Sequence, residues 1–251
     1  MNSASPIGRL TCDVHCDMTD RRRTGCPTGR PGAGEARRRR YLVAGARGGQ
    51  GTTTVATVLA ILAAGHEPVR LLSTRPDDVC GLTGCARPQR WVTPALVCPR
   101  LTLNGTAAED DEKALGEPEA DQRCSTPTLT VADLGRLDSA LCEPAVDDER
   151  NTRRWLVVRG PCYLSLRAAI DHPWQPDGVV LLAEPGRALG ALDVTDVLGV
   201  PVVAQVPVEA AVARVIDAGL LLARLHRLSA FRSLARLTTS LSDPDALRSA
   251  S

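Results

Sequence analysis

The chain predicts a doubly wound α/β fold on a mostly parallel sheet, and three observations lead there. Short apolar runs without polar alternation recur at Tyr41–Ala44, Val69–Ser73, Leu129–Asp133, Trp155–Val158, Val179–Ala183 and Val202–Val206. Segments with helical periodicity stand between several of them. The first run also enters a helix through a stretch holding Gly45, Gly48, Gly49 and Gly51. Strands apolar on both sides are covered on both faces, and helices between them make the connections parallel. Ligands of such sheets bind at the carboxyl ends of the strands.

The elements follow in order. Tyr41–Ala44 is the first strand and Thr53–Gly65 the first helix, with Val55, Val58, Leu59 and Leu62 at helical spacing. Val69–Ser73 is the second strand. Residues Thr74–Ala95, punctuated by Pro76, Gly81, Gly84 and Pro88, read as irregular, and Val97–Leu103 as one further strand. Gly105–Thr126 reads as an acidic surface loop. Leu129–Asp133 is a buried strand running into Leu134-Gly135. The three later apolar runs are strands, and Leu164–Ile170, Ala188–Leu198 and Glu209–Leu225 are helices. Leu222, Leu225, Leu228, Phe231, Leu234 and Leu237 recur every third residue among arginines. At about 100° per residue a three-residue step drifts by about 60°. The leucines should therefore spiral around a helix, and docking on the sheet is the expected use rather than membrane attachment.

Composition narrows the function classes. The 251 residues suit one sizeable α/β domain, and 43% hydrophobic with 24% charged residues is ordinary for a globular chain. Aromatics are 2%, so the core must be built from Leu, Val and Ala. No apolar run of about 18 residues exists to span a membrane. The first residues carry no apolar leader segment, which predicts a cytoplasmic protein. The formal charge of +1 conceals a basic segment at 1–39, read as a disordered arm, and an acidic stretch at Glu109–Asp121. The only lysine is Lys113, inside that acidic stretch. The domain itself is expected over 40–241, followed by a tail at 242–251. Nine cysteines, an odd number without any Cys-x-x-Cys, predict free thiols rather than a disulfide framework. Cys12, His15, Cys16 and Cys26 match no common zinc-finger spacing, so the arm reading stands there.

The glycine-rich turn carries the chemistry. Glycines let the backbone wrap closely around an anion, and the N–H groups of the loop and first helical turn point at it. Arg47-Gly48-Gly49-Gln50-Gly51-Thr52-Thr53-Thr54 has the layout of a phosphate-binding P-loop, with Thr52 where its lysine belongs. Thr53 stands at the Ser/Thr position whose hydroxyl coordinates magnesium, and Asp133 is the candidate acid that holds the ion through water. Asp133 also reads as a carboxylate that only satisfies a helix or loop terminus.

These motifs resemble the ParA/MinD family, whose deviant loop is Lys-Gly-Gly-x-Gly-Lys-Thr-Thr. Arg47 and Thr52 stand at its two lysines, and Ala46-Arg47 is similar to the atypical branch containing the pilus-localisation proteins CpaE and TadZ. The resemblance extends from Arg40 to Leu241. Val131-Ala132-Asp133-Leu134-Gly135 resembles the Walker B strand end, and Arg159-Gly160-Pro161 the crossing on the base-recognition side. Val203-Ala204-Gln205-Val206-Pro207 resembles a late turn near the adenine. The resemblance implies ATP or ADP with Mg2+ as cofactor, bound by Arg47, Gly48, Gly49, Gln50, Gly51, Thr52, Thr53, Thr54 and Pro207. It implies a metal site at Thr53 and Asp133 and a homodimer through the P-loop face, with Arg47 reaching across. The family's Asp-x-Asp-Pro after the second strand is here Ser73-Thr74-Arg75-Pro76, followed by Asp77 and Asp78. Hydrolysis is therefore expected to be very slow or absent, with no catalytic residue assigned.

The expected role is spatial: a nucleotide-binding factor that places a protein partner of a pilus, secretion, division or DNA-partitioning system, in the cytoplasm or at the membrane or nucleoid periphery. Two alternatives stand beside it. One is a scaffold that no longer binds nucleotide. The other is a nucleic-acid-binding protein using the basic arm, which also allows weak contact with DNA or an anionic membrane.

Overall fold

The computed structural model describes residues 39–91, 93–105, 127–137 and 151–240. The arm at 1–39 (apart from Arg39), its Cys/His group, the acidic stretch with Lys113 and the tail at 242–251 lie outside the described residues. Eight strands form one sheet: β1 (Arg39–Gly45), β2 (Val69–Ser73), β3 (Ala95–Cys98), β4 (Leu101–Gly105), β5 (Leu129–Arg136), β6 (Thr152–Arg159), β7 (Gly178–Ala183) and β8 (Val202–Pro207). Their order is β3-β4-β2-β5-β1-β6-β7-β8, and only β3 runs antiparallel to its neighbour. This is the doubly wound, mostly parallel α/β sheet that the apolar runs predict. The chain leaves β1 for one side of the sheet, returns to insert β5 beside it, and then builds β6 to β8 on the other side. That reversal opens a crevice at the carboxyl end of β1.

Strand alternation distributes the core between two layers. Tyr41 and Val43 face one side with Leu71, Val131 and Val157, under α1 (Thr52–Ala64), α2 (Pro76–Thr83) and the C-terminal helices. Leu42 and Ala44 face the other with Ala132, Val158 and Leu181, under α3 (Tyr163–Ile170) and α4 (Ala191–Leu198). A strand residue pointing one way is followed by one pointing the other, so both must be apolar when both faces are covered. The α1 helix is buried nearly all round, because the sheet lies beneath it and α2 and α7 lie beside it.

Several elements differ from the sequence expectation. Residues 74–95 are not irregular throughout: α2 begins at Pro76, which suits the first helical turn, and ends at left-handed Gly84 (φ 70°). The single strand expected at Val97–Leu103 is a hairpin of β3 and β4 turning at Pro99-Arg100. The helix expected over Glu209–Leu225 breaks into α5 (Ala210–Asp217) and α6 (Leu221–Arg224), with Gly219 at φ 65° between them.

The C-terminal leucines do not spiral. Leu225–Arg227 and Ser229–Phe231 are 3-10 turns leading into α7 (Arg232–Ser240). With three residues per turn, positions three apart stack on one face within these two turns, which brings Leu225 and Phe231 inward, while Leu234 and Leu237 lie on the packed side of α7. Leu225, Phe231, Leu234 and Leu237 are all buried, and α7 packs on α1 and β8. The Ser233 hydroxyl donates to the Gln205 carbonyl of β8 at 2.5 Å. Docking on the sheet is the use made of this segment, and no helix among the described residues is long and apolar enough to cross a membrane.

Leu234 is fully buried in that layer, whereas Leu192 on α4 is 81% exposed. Leu234→Ala should cost about 3 kcal/mol in urea unfolding. Leu192→Ala should change stability by about 0.5 kcal/mol or less.

Candidate functional site

The carboxyl end of β1 and the start of α1 approach so closely that only glycine fits at the strand end. A Cβ on Gly45 would lie 2.4 Å from the Thr52 hydroxyl. Between them the chain turns through Gly49 (φ 76°) and Gly51 (φ 80°). Gly51 also lies under Leu182 of β7, whose Cδ1 would stand 2.8 Å from an added Cβ. The α1 helix opens directly after Gly51, without a side-chain cap and without an acid in its first turn. Val55 N–H reaches back to Gly51 O at 3.0 Å, while the N–H groups of Thr52, Thr53 and Thr54 precede the first intrahelical bond. Arg47, Gly48 and Gly49 are exposed, and a Cβ on Gly48 would touch nothing within 4 Å. The result is an open loop of backbone donors at the positive end of a helix. Thr52, at the lysine position, is buried and folded back over the strand end.

Gln50 has a structural role that the motif does not announce. Its Oε1 accepts the Arg159 backbone N–H at 2.5 Å, tying the loop to the end of β6. Beyond it, Glu184 accepts from Arg159 Nε at 2.8 Å and from Arg187 Nη2 at 2.5 Å. Hydrogen bonds from Arg187 and then Arg159 hold the Glu184 carboxyl below its ordinary value.

On the other side of β1, the Thr53 side chain hydrogen-bonds to Asp133. Asp133, in the carboxyl half of β5, is 1% exposed. Ser73 Oγ donates to its Oδ2 at 2.8 Å, and Gly135 N–H donates to Oδ1 at 3.1 Å. Burial raises the Asp133 carboxyl above its ordinary value, against hydrogen bonds from Ser73, Thr53 and Gly135 N–H and the charge of Arg75. Arg75 N–H donates to Ser73 Oγ at 3.0 Å. Asp78 pairs with Arg75 at 3.5 Å, and Asp77 with Arg87 at 2.7 Å. Neither carboxylate replaces those absent from 73 and 75.

A cleft of about 580 Å³ opens beside the loop, lined among others by Arg47, Gln50, Arg136, Cys162 and His172. The Cys162 thiol caps α3 and is held below its ordinary value, first by the Ser165 backbone N–H and then by the Ser165 hydroxyl. Pro207 lies at the carboxyl end of β8, three strands from β1 on the same edge of the sheet. It therefore shares the ligand-binding edge without adjoining the loop. The Gln50–Arg159 tie, the Arg159–Glu184 pair and the cleft join segments far apart in the chain, so no local pattern in the sequence announces them.

The Glu184 ion pairs supply a pH test. A depressed carboxyl favours the folded state above the unfolded pKa and loses that contribution as pH falls through the lower, folded value. Glu184→Gln should therefore cost about 1 kcal/mol or less at pH 7, as partly exposed pairs do. Unfolding curves of parent and variant should converge once Glu184 is protonated in both states.

No family model matches the chain, and no curated protein matches it. Solved structures do. One chain of the Aquifex aeolicus MinC:MinD cell division protein complex superposes with a TM-score of 0.60 at 14% identity, covering 81% of this chain and 95% of that one. The septum site-determining protein MinD of Pyrococcus horikoshii OT3, complexed with Mg-ADP, gives 0.60 at 15% identity, covering 82% and 97%. A ParA family ATPase from Chlorobium tepidum TLS gives 0.57 at 15% identity, covering 80% and 99%. At these identities the likeness concerns architecture: the chain has the P-loop NTPase fold in the arrangement found in ParA and MinD structures.

Proposed function

We propose that the chain binds ATP or ADP over Gly48–Thr54, turns it over slowly or not at all, and acts as a positioning factor for a protein partner. The observation that carries this reading is the loop itself, where left-handed Gly49 and Gly51 leave the uncapped first turn of α1 at an open mouth. The resemblance supports it, and so does the shared fold of a MinD solved with Mg-ADP. Thr53 and Asp133 offer the hard oxygen donors that magnesium takes alongside waters and phosphates, so this donor set fits the ion. When bound there, magnesium would neutralise phosphate charge.

Weak turnover follows from how the neighbouring groups are used. Phosphoryl transfer relies on positioned water and neutralised charge. Here Ser73 donates to Asp133, Arg75 N–H donates to Ser73, and Asp77 and Asp78 pair with arginines. The P-loop domain of this reading spans 40–241, between the arm and the tail, with Pro207 on the adenine side. Pairing of two copies would use the loop face. Arg47 is exposed there, and α3 leaves Tyr163 and Leu164 exposed next to cleft-lining Cys162 and Ser165. The cytoplasm, at a membrane or nucleoid surface, is the setting this role requires.

The buried, neutral Thr52 at the lysine position favours the second reading, a scaffold that no longer binds nucleotide. Equilibrium titration with fluorescent ATP and magnesium separates the two. The parent should bind weakly. Gly48→Val should lose at least about tenfold in affinity, because its side chain stands at the open mouth while the unliganded fold has room for it. Equal binding by parent and variant would remove the cradle from the argument, and no binding by the parent would favour the scaffold.

Catalysis gives a second test. Thr52→Lys should tighten binding by roughly tenfold by adding a charge-assisted contact. Phosphate release should stay at background in that variant. Only Thr52→Lys combined with Ser73→Asp and Arg75→Asp should turn over, and robust magnesium-dependent release by the parent would contradict the reading.

A further inference from the structure

The end of α2 holds a feature that neither nucleotide binding nor partner positioning uses. Cys80 lies in its last turn, 5% exposed, and Cys85 follows just beyond the helix, half-buried. Their sulfurs are 3.3 Å apart. The approach is built by the helix cap. Gly84 takes the left-handed conformation and its N–H returns to Cys80 O at 2.9 Å, which carries Cys85 back over the turn it has just left. The Thr83 hydroxyl secures the same turn, donating to Val79 O at 2.7 Å and accepting Cys85 N–H at 3.4 Å. Among the described residues no group of three or more His, Cys, Asp or Glu side chains could hold a metal. The two thiols therefore face each other as a pair.

We propose that Cys80 and Cys85 form a redox dithiol, which closes to an intramolecular disulfide when the protein meets a small-molecule disulfide such as oxidised glutathione. Cys85 is the more exposed sulfur and acts first. Its thiolate attacks one glutathione sulfur, the glutathione S–S bond breaks, and one glutathione thiolate leaves with the electron pair. Cys80 then gives up its proton to solvent and attacks Cys85 Sγ. The mixed disulfide breaks and the second glutathione thiolate departs. Two protein thiols are oxidised and one glutathione disulfide is reduced to two thiols. Burial first, and then the neighbouring Cys85, push the Cys80 thiol up to about 12, so Cys80 is protonated at rest and is the resolving rather than the attacking sulfur.

The bond would lock a contact made backbone against backbone. A Cβ on Gly84 would lie 2.7 Å from Gly219 O, and one on Gly219 would lie 2.8 Å from Gly81 O. The cap of α2 thus packs against the bend between α5 and α6 with no side chain between them. A staple between Cys80 and Cys85 fixes the cap in the shape this contact requires.

The test needs no nucleotide and stands whether or not nucleotide binds. The full chain is reduced, incubated with oxidised glutathione, quenched in acid, denatured and alkylated with iodoacetamide. Trypsin should release Leu71–Arg90 intact, because prolines follow Arg75 and Arg87, and this peptide holds Cys80 and Cys85 alone among the nine cysteines. Its mass should be that of the unmodified peptide less two hydrogens, with no alkyl group. Reduced protein should yield the doubly alkylated peptide. Cys85→Ser, which leaves the buried sulfur in place, should lose the alkylation-resistant form entirely. The oxidised parent should also melt about 5 °C above the reduced parent, a shift absent from the variant. Double alkylation after oxidation, glutathione retained on both sulfurs, linkage of this peptide to another cysteine, or equal melting of the two forms would each overturn the proposal.

Discussion

One buried carboxylate ties together the elements that make the site. Asp133 lies in the carboxyl half of β5 and receives the Ser73 hydroxyl from β2, the Thr53 hydroxyl from α1 and the Gly135 N–H two residues on in the same strand. A buried carboxylate without such donors would cost several kcal/mol. Each donor is therefore held in place by the penalty of leaving Asp133 unsatisfied, and the arrangement fixes the start of α1 relative to the sheet. The P-loop can be glycine-rich and open because both its ends are anchored. Gly45 is pressed against Thr52, and Gln50 bonds to the end of β6.

The same arrangement explains how a loop of this shape persists without its lysine. An ammonium at position 52 would need a stem reaching out of the loop. The threonine present instead folds back over the strand end and is buried there. Arg47 and Arg136 line the cleft beside the loop. In the proposed nucleotide-binding reading, anion recognition would fall to backbone N–H groups and the helix dipole, which supply direction and modest energy. At the β2 turn, arginine and serine stand where acids would organise an ion and a water, and the two nearby aspartates are engaged with arginines.

Away from the loop, close backbone packing recurs wherever two turns meet. Gly84 and Gly219 bring α2 against the α5–α6 bend, and Gly160 (φ 48°) leaves room for Glu184 between two arginines. The Gly84–Gly219 contact joins α5 and α6 to α2 on the same face of the sheet as α1. The 3-10 turns between α6 and α7 complete that layer, aligning residues three apart so that Leu225 and Phe231 both reach the core.

The sequence by itself determined the parallel sheet, the position of β1 and α1, the loop between them and the absence of its lysine. Continuous apolar runs and a glycine cluster before a periodic helix are local signals, readable without knowing what lies opposite. It also placed Thr53 and Asp133 in one proposed role through the family resemblance of their motifs, although only the topology, which inserts β5 between β2 and β1, makes them neighbours. Only the tertiary structure decided the rest. The helix at Pro76–Thr83 is short and weakly amphipathic, stabilised by its cap and by packing against α5 and α6, so its residues taken alone resemble a loop. The every-third-residue series is divided between α-helix and 3-10 turns: Leu225 and Phe231 lie in 3-10 turns and Leu234 and Leu237 in α7, which packs on β8 and α1. Ser73 reads as a lost acid, yet the fold makes it a donor to Asp133 across 60 residues of chain. Local propensity fixes elements whose burial is symmetric or periodic, whereas contacts between distant segments settle those whose own signal is weak.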